Sequence, residues 1–91
     1  MRITVEMSLY PLQGDALGKI LRFIERVQSS DRVEIAVNQM STQIRGELDD
    51  VLRLLSDALR ASFADGESQV LVTKFLNADL PIAEPPNLER A

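Results

Sequence analysis

From residue 2 to residue 10 the chain alternates, with Ile3, Val5, Met7 and Leu9 on one side and Thr4, Glu6, Ser8 and Tyr10 on the other. A two-residue period of this length predicts a strand with one face buried. Pro11 has no amide hydrogen to give to a ladder and ends the strand, and Gln13-Gly14 reads as a turn. Asp15 is an N-cap candidate for the next segment. There Leu17, Ile20, Leu21, Ile24 and Val27 recur at helical spacing, with Phe23 at the margin of the stripe. The helix is expected to stop in the polar pair Ser29-Ser30.

Alternation returns at Val33, Ile35 and Val37, set against Glu34, Ala36 and Asn38, and predicts a second strand. After a tight turn near Asn38-Gln39, residues 40–47 predict a third. In that strand Met40, Thr42 and Ile44 share one face, and Ser41, Gln43 and Arg45 the other. Gly46 breaks the pattern, and Glu47, Asp49 and Asp50 then put negative charge where a helix N-terminus favours it. Leu48, Val51, Leu52, Leu55, Leu59 and Phe63 form the stripe of a second helix, closed at Asp65-Gly66, where glycine is free to take positive φ. Residues 69–77, rich in Val, Leu, Thr and Phe, predict a fourth strand. Beyond Asp79 come Pro81, Pro85 and Pro86. The expected organisation is one domain over residues 1–78 and a proline-containing tail over residues 79–91. The tail is extended, disordered or packed on a neighbouring subunit.

Strand, helix, strand, strand, helix, strand predicts an α+β fold of the ferredoxin-like kind, a four-stranded antiparallel sheet with both helices on one face. The other face is left uncovered. Its expected occupants are Thr4, Glu6, Ser8, Tyr10, Glu34, Ala36 and Asn38. Such a face is solvated, paired with another subunit, or the floor of a ligand site.

Composition narrows the choice. The chain has 91 residues, three Phe, one Tyr and no Trp, so its core is built from Leu, Ile and Val. A core of that size contributes only ~3–5 kcal/mol net, which makes a homo-oligomer expected. The net charge is −4 and the ten cations are scattered, which argues against a nucleic-acid partner. Cysteine and histidine are both absent. That removes thiolate metal sites, disulfides and the commonest general base, and with them any Ser/His/Asp set. No glycine-rich phosphate loop is present, and no apolar run approaches the ~18 residues of a membrane span. A cytoplasmic, non-enzymatic protein without cofactor or membrane insertion is expected.

The candidate chemistry is polar and mostly neutral. Asn38, Gln39, Ser41, Thr42 and Gln43 form a dense group of hydrogen-bonding side chains. They suit either a turn or the lining of a pocket for an uncharged polar ring such as an aminopyrimidine. Glu6 and Ser8 share a strand face about 7 Å apart. Glu6 is either a solvated carboxylate or the partner of a cation. Tyr10 could stack on a ligand or close the edge of the core, Met40 could pack on a flat ring or join the core, and Lys74 could reach Glu6.

The opening Ile3-Thr4-Val5-Glu6-Met7-Ser8-Leu9-Tyr10-Pro11-Leu12 and the central Met40-Ser41-Thr42-Gln43-Ile44-Arg45-Gly46, in this order of elements, resemble the thiamine-binding (YkoF-like) family of small bacterial and archaeal proteins. The resemblance implies a ferredoxin-like fold, dimers or tetramers associating through sheet faces or edges, and binding of thiamine or its hydroxymethylpyrimidine moiety. The matched positions suggest a ligand set of Glu6, Ser8, Tyr10, Asn38, Met40, Ser41 and Thr42. A homo-oligomerisation module without ligand is the alternative.

Overall fold

The protein is described by a computed structural model over residues 1–89. Its elements run β1 (Arg2–Pro11), α1 (Ala16–Gln28), β2 (Glu34–Val37), β3 (Thr42–Glu47), α2 (Leu48–Phe63) and β4 (Gln69–Leu76). The strands form one antiparallel sheet in the order β2-β3-β1-β4, and both helices lie on the same face. This is the expected ferredoxin-like arrangement. The central strand β1 alternates as its sequence does. Ile3, Val5, Met7 and Leu9 enter a core completed by Phe23 and Val27 of α1, Ile44 of β3, and Val51, Leu55 and Ala58 of α2.

Local chemistry sets the element ends. The Asp15 carboxylate accepts the Gly18 amide at 3.1 Å and caps α1. Gly66, at φ +76°, lets the chain turn away after α2, and its amide bonds the Phe63 carbonyl.

Both helices are rotated from the stripes that periodicity suggests. In α1 the buried residues are Lys19, Phe23 and Val27, whereas Leu17 and Leu21 are 67% and 51% exposed. The buried Lys19 ammonium is held by Asp65 at 2.9 Å and Glu67 at 2.8 Å. These two carboxylates, Glu67 foremost, raise the lysine's proton affinity and keep it charged. In α2, Leu52 and Phe63 are half exposed. They face Leu71 and Phe75 of the edge strand β4 across an open apolar groove.

The segment after β4 folds back on the sheet face opposite the helices. Thr4 Oγ1 donates to the Ala78 carbonyl at 2.7 Å and accepts the Leu80 amide at 2.9 Å. Arg2 pairs with Asp79, and Arg45 donates to the Leu80 carbonyl while pairing with Glu34 at 2.7 Å. Thr4, expected on an uncovered face, is therefore buried. The polar half of this face nearest residues 78–80 is closed, and the half around Glu6, Ser8 and Tyr10 stays open. Replacing Thr4 with valine keeps the shape and removes both hydrogen bonds around a buried position. The expected cost is about 1–3 kcal/mol in urea unfolding, with faster proteolysis of the segment beyond residue 77.

Candidate functional site

The site arises where the sheet runs out of partners. β1 pairs with β3 from Arg2↔Glu47 to Met7↔Thr42, and with β4 from Thr4↔Leu76 to Pro11↔Gln69. Beyond Met7 it thus has a ladder neighbour on one side only. On the other side the chain between β2 and β3 bends away as a tight turn, closed by the Asn38 amide donating to the Ser41 carbonyl at 3.0 Å. The Asn38 side-chain carbonyl, Oδ1, accepts the amides of Met40 at 2.8 Å and Ser41 at 3.0 Å. Asn38 is therefore a turn builder.

The gap between this turn, the end of β1 and the flank of α1 is a cleft of ≈ 240 Å³. Its walls are the apolar Leu9, Ile20, Phe23, Ile24 and Val37 with the buried Thr42, and its rim carries Ser8, Tyr10, Asn38, Met40 and Ser41. Among the described residues no ionisable acid or base lines it apart from the Tyr10 phenol.

On the opposite side of the same strand end lies a second depression of ≈ 350 Å³, lined by Glu6, Val72 and Lys74 together with Ser8, Tyr10, Met40 and Ser41. Glu6 is fixed at both oxygens. Ser41 Oγ donates to one at 3.1 Å, and the Lys74 ammonium lies 3.4 Å from the other. The Ser41 hydrogen bond, then the hydrogen bond and charge of Lys74, hold the carboxyl below its ordinary proton affinity, so Glu6 is anionic. Ser8 Oγ donates to the Met40 carbonyl at 3.3 Å and ties the turn to β1.

All seven sequence-derived candidates thus lie at one end of the sheet, distributed over two concavities. Asn38 and Thr42 belong to the cleft, Glu6 to the depression, and Ser8, Tyr10, Met40 and Ser41 to both. Met40 is 86% exposed in the turn, so its thioether is not part of the core. Arg45, in the same polar stretch, points to the far end of the open face and holds residues 79 and 80 instead. The apolar walls were missed as site residues. Ile20, Phe23 and Ile24 show the same helical spacing as any core stripe, and only the shortness of the β1–β3 ladder leaves them beside a gap.

Among the described residues no group of acidic side chains is placed to hold a metal ion, and no helix is long and apolar enough to cross a membrane.

A family model described as thiamine-binding protein matches residues 5–75. No curated protein matches the chain. Among solved structures, protein SP2199 of Streptococcus pneumoniae aligns with TM-score 0.78 and 22% identity, covering 91% of this chain and 92% of that one. A DUF77 domain of Bacillus cereus aligns with TM-score 0.71 and 25% identity over 87% and 78% of the two chains. A Thermotoga maritima protein described as a candidate for thiamine biosynthesis or salvage aligns with TM-score 0.74 and 19% identity over 94% and 90%. These likenesses establish the common fold.

Proposed function

The chain belongs to the thiamine-binding protein family, and from that membership we propose that it binds thiamine or its hydroxymethylpyrimidine moiety without transforming it, in salvage, transport or sensing of the vitamin. The observation that carries the reading is the pairing of a neutral, polar-rimmed cleft with a depression that holds the Glu6 carboxylate and its Lys74 partner across the same strand end. An aminopyrimidine needs donors and acceptors on one edge and apolar contact on its faces. The hydroxyls of Ser8, Ser41 and Thr42, the Asn38 amide and the unpaired backbone edge of β1 supply the first. Ile20, Phe23, Ile24 and Tyr10 supply the second.

The cleft is smaller than the ~300–1,000 Å³ of drug-sized pockets, which suits a single ring. A thiazolium cation is then directed over the rim to Glu6, with Tyr10 and Met40 between the two concavities. Among the described residues the one cation in either concavity is Lys74, already against Glu6. Phosphorylated forms therefore find no second cation there, and they bring negative charge close to the Glu6 carboxylate, which disfavours them.

The test is a thermal-shift series with hydroxymethylpyrimidine, thiamine, thiamine monophosphate and thiamine diphosphate. A ligand at ~100 times its Kd adds ~2.7 kcal/mol, or about 10–20 °C in a domain of this size. Large shifts with the first two and small ones with the phosphates are expected.

A second reading is favoured by Tyr10, Val70, Val72 and Leu76, which leave a half-exposed apolar patch on the open sheet face. That patch suits burial against another copy, as a dimer or tetramer. If no compound shifts the unfolding temperature and the protein sediments as an oligomer, a ligand-free assembly module replaces the binding reading.

A further inference from the structure

Glu6 and Lys74 face each other directly in the β1–β4 register, at 3.4 Å. The carboxylate does not depend on the lysine for its position, because Ser41 Oγ grips the other oxygen at 3.1 Å. Among the described residues the lysine has no such second anchor. Its side chain is 79% exposed and free to swing into water on its four-carbon stem. The depression therefore holds one fixed anion already covered by one mobile cation, and the neutral cleft beside it holds neither.

We infer that Lys74 is a built-in competitor for the Glu6 subsite, displaced when a cationic ligand binds and indifferent to a neutral ligand in the cleft. The inference rests on the binding reading above and adds a residue that sets the balance between charged and uncharged forms of one ligand class. A ligand with a positive ring must both separate the ammonium from Glu6 and tolerate its charge nearby, and each effect weakens binding. A neutral pyrimidine seated among Asn38, Ser41 and Thr42 meets neither penalty. Lys74 thus narrows the advantage that Glu6 gives to the cation and lets the site respond to both compounds.

The experiment is calorimetric titration of the full chain and of Lys74→Met and Lys74→Arg, each with thiamine and with hydroxymethylpyrimidine, at low and high salt. Methionine keeps most of the stem and drops the charge. The expected result is thiamine binding about three- to tenfold tighter in Lys74→Met at low salt, with the gain shrinking as salt screens the pair. Hydroxymethylpyrimidine affinity stays within about twofold, and Lys74→Arg follows the parent chain. If the parent chain binds thiamine and Lys74→Met binds it no better, the inference fails while the binding reading stands. If neither chain binds either compound, both fail. Thiamine binding detectable only in Lys74→Met supports both.

Discussion

Replacing Phe23 with alanine is expected to lower the stability of this domain by about 3–5 kcal/mol. Phe23 is 2% exposed and packs in the core cluster with the inward side chains of β1 and with Val27. Removing its ring loses the transfer free energy of the buried carbons and leaves a hole next to an existing cleft. A chain of 91 residues has a small margin, of order 0.05–0.15 kcal/mol per residue. The loss is therefore a large part of the total and corresponds to a fall of at least ~12 °C in Tm. Urea unfolding of Phe23→Ala beside Leu17→Ala makes the comparison sharp. Both residues are apolar and on α1, but Leu17 is 67% exposed, and its truncation is expected to stay within about 0.5 kcal/mol. Equal losses at the two positions would contradict the observed rotation of the helix.

The largest effect on ligand binding is expected at Glu6. Glu6→Gln keeps the size of the side chain and a carbonyl oxygen for Ser41, and removes the charge. Thiamine affinity is expected to fall about tenfold or more, because a charge-assisted contact is replaced by a neutral one. Hydroxymethylpyrimidine, which needs only the cleft, is expected to change by less than about threefold. The pH dependence separates charge from shape. Because the folded pKa of Glu6 is depressed, mainly by Ser41 and Lys74, the anion persists through the ordinary glutamate range. It is lost only as pH falls through that lowered value. The affinity ratio of parent to Glu6→Gln is thus expected to be flat from about pH 8 to pH 5 and to approach one only below the usual ~4.3. Taking the ratio cancels any titration of the ligand itself.

The elements were legible because each has a local cause. The alternation in residues 2–10, the Asp15 cap, the Gly66 stop and the tight turn at Asn38 operate within a few residues, and the structure places them accordingly. What periodicity could not supply was the rotation of each helix about its axis. Leu17 and Leu21 fit the stripe of α1, whereas Phe23 lies at its margin. The choice of Phe23 depends on β1 below it and α2 beside it, and on Asp65 and Glu67, which draw Lys19 inward from far along the chain. The site was legible in part for the same reason. Its polar residues lie in two short stretches, around residues 6–10 and 38–42, and both were visible as groups of hydrogen-bonding side chains. Their division into a neutral cleft and a depression holding the Glu6–Lys74 pair depends on where the β1–β3 ladder ends at Met7↔Thr42. The position of Arg45 depends on residues 79 and 80, and neither relation has a local signature.

The measurement that tests the central claim most directly is a titration of the isotopically labelled full chain with thiamine and with hydroxymethylpyrimidine, followed by backbone amide chemical shifts. Saturable shifts are expected at residues 38–42, 8–10 and 20–24 with both compounds, and additional shifts at Glu6 and Lys74 with thiamine alone. An absence of shifts at about millimolar ligand, or shifts confined to the groove between α2 and β4 around Leu52, Phe63 and Phe75, would contradict it.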